Sequence, residues 1–228
     1  MRLVLVGAPG SGKGTQAELL VQRLGLTYVG TGAILRDAIA RHTPTGRLVQ
    51  PLMDQGLLVP DTIVNDVVAE LLQRPDRPER FVLDGYPRTC AQAVAFDELQ
   101  VEARRPLTGV VSFAISDDEV VRRISSRRVC VDKACLASYN LAFRRPRLDG
   151  ICDKCGSALL IRDDDKEETV RRRLTEFHKS TDALIEHYRR NGLLREVDAT
   201  QSVEAIYASV LASLGVSTAK AVDFKKPM

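Results

Sequence analysis

Lys13 stands in Gly7-Ala8-Pro9-Gly10-Ser11-Gly12-Lys13-Gly14-Thr15, where four glycines lead up to or flank a single cation. Gly7, Gly10, Gly12 and Gly14 allow backbone angles closed to other residues and let the main chain come close to a ligand. The N–H groups of such a loop, followed by a helix start, converge on one concavity that carries partial positive charge. Lys13 adds a full charge aimed at outer phosphate oxygens. A glycine-rich hairpin or linker would leave the lysine at this offset unexplained. The stretch therefore predicts a site for the phosphates of a nucleotide, built from Gly10, Ser11, Gly12, Lys13, Gly14 and Thr15.

Two further groups of residues could do chemistry. Asp84-Gly85-Tyr86-Pro87-Arg88-Thr89 places a carboxylate and a guanidinium in one turn after a short apolar run. Asp84 could instead be a helix cap or a turn residue, but the carboxyl end of a strand beside a phosphate loop is where open α/β sheets bind ligands. The second group is Cys130-x4-Cys135, then sixteen residues, then Cys152-x2-Cys155. Four thiolates at these spacings can close a tetrahedral Zn²⁺ site. Two disulfides or four unrelated thiols are the alternatives. A reducing compartment disfavours the first, and the clustering of four of the five cysteines disfavours the second.

The elements that must hold these residues follow from periodicity. Arg2 to Val6 reads as a buried parallel strand, and Ala17, Leu19, Leu20 and Leu24 as a helix closing at Gly25. Thr27-Tyr28-Val29, Phe81-Val82-Leu83, Val110 to Ala114 and Leu193 to Val197 give four more strands. Between them fall a helix with Ile34, Leu35, Ala38 and Ile39, a short one near 47–55, one capped by Asp61, one begun by Asp117 that runs to Arg127-Arg128, a long one from Asp163, and one from Val203 to Leu214. His42, His178 and His187 receive no role, and Cys90 reads as packing. The pattern predicts an α/β fold with a core of residues 1–29, 61–128 and 163–215. A helical insertion at 30–60, a cysteine-bearing insertion at 129–162 and a loose tail at 216–228 complete the chain.

Composition narrows the function classes. With 44% hydrophobic and 28% charged residues the chain reads as an ordinary soluble globular protein. A net charge of +3 gives no basis for nucleic-acid or membrane binding. No apolar run is long enough to span a bilayer, and the start lacks a secretory layout, so a cytoplasmic location is expected.

In order along the chain these motifs resemble the adenylate kinases of the nucleoside monophosphate kinase family, from residue 2 to about 214. The signature comprises the phosphate loop, Thr31-Gly32 with Leu35-Arg36, the Asp84 to Thr89 block with Gln92, Arg123 to Arg127-Arg128, and Arg162 through Glu168-Thr169-Val170 to Arg173. The resemblance implies a P-loop three-layer fold with a five-stranded parallel sheet, residues 30–60 as the acceptor-binding insertion and 129–162 as a long lid. It implies transfer of a phosphoryl group from Mg-ATP to AMP, giving two ADP, by a protein expected to act as a monomer.

By the same resemblance, Lys13 contacts the transferring group, and Arg36 and Arg88 hold the acceptor's phosphate. Arg123, Arg127, Arg162 and Arg173 close in from the lid side, and Asp84 orders the water shell of Mg²⁺. Thr31, Leu57, Val59, Gly85 and Gln92 surround the acceptor's adenine, while Tyr139 and Gln201 fall where relatives touch the donor nucleotide. Catalysis then rests on Lys13, Asp84, Arg88, Arg123, Arg162 and Arg173. Arginine suits these places because its planar fork matches phosphate. Two positions depart from the family pattern: Ala33 stands where many relatives have Asp, and Asp163 where they often have Lys. The first cysteine knuckle is two residues wider than usual. The rivals are a kinase for UMP or CMP and a zinc-knuckle nucleic-acid binder or GTPase-like switch. The chain has no Asn-Lys-x-Asp guanine signature, and its knuckles lack an aromatic stacking platform.

Overall fold

Arg2–Gly7 forms β1, and its alternate residues divide the interior in two. Val4 and Val6 face one hydrophobic cluster, Leu3 and Leu5 the other, as the period of two in a strand requires. The computed structural model of the chain describes residues 1–216 except 133, 136, 163 and 164. Asp163 and residues 217–228 of the expected tail lie outside the described residues.

The remaining strands of the main sheet are β2 (Thr27–Gly30), β3 (Phe81–Asp84), β4 (Gly109–Ala114) and, late in the chain, β8 (Leu194–Asp198). They pair in the order β2-β3-β1-β4-β8, and every pairing is parallel. Helices cover both faces. On one side lie α1 (Lys13–Leu24) and α8 (Val203–Ser213), through Ala17, Leu20, Leu24, Ile206, Tyr207, Val210 and Leu211. On the other lie α4 (Asp61–Gln73), α5 (Cys90–Glu102) and α7 (Glu167–Arg190), through Val64, Val68, Phe96, Leu184 and Tyr188. The three-layer α/β fold with a five-stranded parallel sheet is the one expected, and it opens a crevice at the carboxyl end of β1.

Between β2 and α4 run α2 (Thr31–Ala40) and α3 (Pro44–Asp54). Helix α3 begins three residues earlier than the proline and glycine signals predict. Pro44 is its first residue, where a missing N–H costs nothing, and the Thr43 hydroxyl caps it by accepting from Gly46 N at 3.0 Å. Helix α6 (Asp117–Ser125) stops short of the two arginines expected to end it. Arg127–Cys130 is instead a strand, β5, which pairs antiparallel with β6 (Ser138–Asn140) and β7 (Leu159–Leu160). This small sheet is inserted between α6 and α7. Cys130 ends β5, Cys135 lies between β5 and β6, and Cys152 and Cys155 lie between β6 and β7. Among the described residues, α7 starts at Glu167, not at 163, with Glu167 and Glu168 in its first turn and His187, Arg189 and Arg190 in its last. No described helix is long and apolar enough to cross a membrane.

Candidate active site

The turn between β1 and α1 is built for close approach. Gly10 has φ +78°, and a Cβ there would stand 2.5 Å from Cγ1 of Ile124 on α6, so only glycine lets the loop seat on that helix. Gly12 takes the N-cap position of α1, and no side chain caps the first turn. Those amides therefore face the crevice as an anion site, with Gly14 and Thr15 on the same turn and Ser11 buried beneath it.

Lys13 folds back over this loop. Its Nζ donates to Gly7 O at 2.7 Å, Ala8 O at 2.8 Å and Ser11 Oγ at 3.4 Å. Burial lowers the ammonium to about 8, Asp84 opposes the shift, and Arg88, Arg173 and Arg127 add to it. Five charged residues, Lys13 of α1, Asp84 of β3, Arg88 of the turn before α5, Arg127 of β5 and Arg173 of α7, thus share one electrostatic neighbourhood, and all five are among those the sequence singles out.

Asp84, at the end of β3, faces the first turn of α1: a Cβ on Gly14 would be 3.8 Å from its Oδ2. The next residue organises the acceptor side. The carbonyl of Gly85 accepts from Thr31 Oγ1 and from Arg88 Nε, each at 2.9 Å, tying the start of α2 to the arginine. Arg36, one turn further along α2, lies over Gly32, where a Cβ would meet its Nη1 at 3.3 Å. Gln92 is buried, with both ends of its amide in use. Its Oε1 accepts from Arg88 N at 2.7 Å and its Nε2 donates to Asp61 Oδ1 at 2.8 Å. Asp61 also accepts from Thr89 Oγ1 at 2.7 Å. Asp61 is thus not the cap of α4; that position is Pro60, and the carboxylate holds the Arg88 turn instead. Leu57 and buried Val59 lie in the segment linking α3 and α4, and neighbouring Gly56 sits against Arg173 and Thr169 of α7.

On the opposite side, Arg123 of α6 bonds Glu119 Oε1 through Nε at 2.7 Å, and its guanidinium lies 5.5 Å from the ring centre of exposed Phe143. Arg127 of β5 holds buried Asp165 through Nε at 2.7 Å and through a second bond from Nη2. Arg162 accepts through its carbonyl from Asp165 N at 3.0 Å. Gln201, after β8, donates to Asp198 Oδ2 at 3.2 Å, and hydrogen bonds from Thr200 and Gln201, helped by the charge of Arg123, hold the Asp198 carboxyl below its ordinary range. Tyr139 is placed differently from the rest. Its hydroxyl accepts from Asp153 N at 2.8 Å and lies 3.6 Å from Cys152 Sγ, so the side chain serves the cysteine cluster.

The family model for adenylate kinase matches residues 5–193. The chain is 44% identical over 214 residues to an adenylate kinase of Archaeoglobus fulgidus, covering 94% of this chain and 98% of that one. It is 43% identical over 216 residues to an adenylate kinase of Caldicellulosiruptor saccharolyticus, covering 95% and 100%. One from Acidothermus cellulolyticus is 44% identical over 214 residues, covering 94% and 98%. The chain belongs to the adenylate kinase family. Adenylate kinases are ATP:AMP phosphotransferases that work on Mg-ATP, and a zinc-knuckle nucleic-acid binder is not what this chain resembles.

For an adenylate kinase with a cysteine-bearing insertion, the geometry of the thiols fits a metal. Cys130, Cys135, Cys152 and Cys155 place their sulfurs within 4.8 Å of one another. Four thiolates about 2.3 Å from a tetrahedral Zn²⁺ would be separated by about 3.8 Å. The Cys130–Cys155 and Cys135–Cys152 sulfurs, at 3.4 and 3.6 Å, are too far apart for disulfides. Burial opposes ionisation of Cys152, but the Tyr139 hydroxyl and the N–H groups of Cys155 and Lys154 outweigh it and pull the thiol down to about 6.

The contacts that Tyr28, Asp61, Phe143 and Asp165 make escape a reading of this adenylate kinase sequence alone. Asp61 carries a signal, a carboxylate before an apolar run, but the same signal denotes a cap. Asp165 and Phe143 bond arginines that are distant in sequence or on another element, and no spacing rule reports such pairs.

Proposed function

We infer that the chain catalyses the reversible transfer of the γ-phosphoryl group of Mg-ATP to AMP, giving two ADP. The observation that carries this reading is the convergence at the phosphate loop, where Lys13 lies over the Gly7 and Ala8 carbonyls, Asp84 faces Gly14, and Arg88 is tied to the carbonyl of Gly85, the residue after Asp84. The donor's phosphates are assigned to Gly10, Ser11, Gly12, Lys13, Gly14 and Thr15, with Arg123, Arg127 and Gln201 beside them. Tyr139 enters this donor set through the family resemblance, and its hydroxyl supports it only by shaping the insertion. AMP is assigned to Thr31, Arg36, Leu57, Val59, Gly85, Arg88, Gln92, Arg162 and Arg173.

Phosphoryl transfer asks for little covalent work from the protein. The acceptor phosphate is ionised at neutral pH, so no general base is needed, and none of the three histidines is given one. Arg88 and Arg36 fix the acceptor oxygen in line with the phosphorus atom. Lys13 exchanges the carbonyls of Gly7 and Ala8 for phosphate oxygens, and Arg123, Arg127, Arg162 and Arg173 stabilise charge on the equatorial oxygens. Asp84 would hold the Mg²⁺ that accompanies the nucleotide through ordered water, and the ion would supply neutralisation of the phosphate charge. Residues 30–60 act as the AMP-binding unit and 129–162 as a lid over the core of 1–29, 61–128 and 163–215, expelling water from the reacting group.

The four cysteines would hold one structural Zn²⁺. A site with four thiolates is coordinatively full, so its contribution is to folding of the insertion and not to the reaction. Thiols kept as ligands suit a reducing cytoplasm, and the chain is taken to act as a monomer. The experiment is binding of a bisubstrate analogue, two adenosines joined by five phosphates. Tight binding with a smaller radius of gyration in solution scattering is the expected result. Failure to bind, or an unchanged profile at saturation, would contradict two nucleotide sites under closing insertions.

A further inference from the structure

Gly30 of β2 and Asp84 of β3 are partners in the sheet register. Tyr28, two residues before Gly30, lies on the same face of β2, which is the edge strand of the sheet. The tyrosine reaches along its strand, across Gly30, and its hydroxyl donates to Asp84 Oδ2 at 3.2 Å. The path is open only because residue 30 has no side chain. A Cβ there would stand 2.5 Å from the Tyr28 hydroxyl oxygen and 2.6 Å from its Cε1.

We propose that Tyr28 is the positioning residue for Asp84, and that position 30 is glycine so that the hydroxyl can reach the carboxylate. Partial burial stabilises the ring but does not fix where the hydroxyl points, since the residue is 44% exposed on an edge strand. The hydroxyl bond does fix it. A carboxylate at the end of a strand can rotate, and one hydrogen bond fixes it. That bond uses one of about four lone-pair sites on the ionised group and leaves the others for water. An ordinary phenol keeps its proton at neutral pH, so the hydroxyl is available as a donor to the ionised carboxylate. The proposal rests on the reading of Asp84 as the group that orders the metal's water shell. Asp84 is then the partner one bond removed from the metal, a place where changes commonly alter affinity by about 10- to 100-fold, and Tyr28 acts on the metal only through it.

The measurement is binding of Mn²⁺, a paramagnetic stand-in for Mg²⁺, to the enzyme saturated with a non-hydrolysable ATP analogue, read from the free-ion signal in electron paramagnetic resonance. Tyr28→Phe should weaken binding by roughly 3- to 10-fold, at or below the lower end of the range for a group one bond removed from the metal. Its thermal midpoint should stay within about 2 °C of the parent, as for other exposed substitutions. Gly30→Ala should reproduce the loss, because the added methyl swings the far end of the tyrosine off the carboxylate while the strand stays in place. The double variant should bind no more weakly than either single one, since both remove the same bond. In turnover, the Mg²⁺ requirement should rise with KM for AMP unchanged. Binding within about twofold of the parent in Tyr28→Phe, with binding weakened about 10-fold or more in Asp84→Ala, would overturn the proposal and leave the role of Asp84 standing. Parent-like binding in Asp84→Ala would overturn that role and the proposal together.

Discussion

Lys13 Nζ lies 2.7 Å from the carbonyl oxygen of Gly7, so the cation of the phosphate loop is held by the backbone it will later leave. The bond keeps the ammonium in the crevice in a fixed rotamer, ready to exchange carbonyl oxygens for phosphate oxygens. Lys13→Ala should lower kcat by roughly 100-fold or more, the scale of one lost transition-state electrostatic contact. A folded variant that turns over within a few-fold of the parent would remove Lys13 from the site.

The same lysine should link nucleotide binding to protons. Its pKa is lowered to about 8 from 10.5, so between those values the folded, ligand-free protein binds fewer protons than the unfolded chain. The group's cost to stability is therefore full below about pH 8 and fades as pH rises through that window. A bound phosphate favours the charged form and raises the pKa again. At pH 9, calorimetry in buffers of different ionisation enthalpy should show proton uptake when an ATP analogue binds, and Lys13→Met should abolish it. Equal enthalpies in all buffers for the parent would contradict this.

Asp61 joins Thr89 and Gln92, and through Gln92 it fixes the backbone of Arg88. Asp61→Ala leaves the buried Gln92 amide without its acceptor, which should cost about 1–3 kcal/mol of stability. The Arg88 turn should loosen with it, raising KM for AMP roughly 10-fold, as about 1.4 kcal/mol of lost binding would, with KM for ATP unmoved. Comparable changes in both KM values would show a global effect and not one on the acceptor side.

The cysteine insertion should be stabilised by metal and catalytically indifferent to it. About one zinc per chain is expected from the four thiolates of one tetrahedral site. Chelation or Cys152→Ser should lower the thermal midpoint while activity at low temperature persists. Metal-free protein purified without chelator, with four thiols reacting at once, would contradict the site.

How much of this the sequence discloses depends on range. β1, the loop and α1 are contiguous, and glycine, lysine and apolar periodicity declare them directly. Asp84 and Arg88 are legible for the same reason, as are the cysteine spacings. The misread elements are those where one signal has two meanings. Pro44 and Gly46 look like breakers, yet Pro44 opens α3 because Thr43 caps it. The run after Ile124 has no stop signal, and Arg127 leaves the helix to enter β5 and bind Asp165. Tyr28 is invisible for a third reason: its meaning depends on the register of β2 against β3, which local pattern does not state.

The central claim, ATP as donor and AMP as acceptor, is tested most directly by one acceptor series. Purified protein with Mg-ATP is offered AMP, UMP, CMP and GMP at equal concentration, and ADP formation is followed in a coupled assay. AMP should be phosphorylated with a kcat/KM at least about 100-fold above the others, a discrimination of about 2.7 kcal/mol. Turnover of UMP or CMP at or above the rate with AMP would contradict the account.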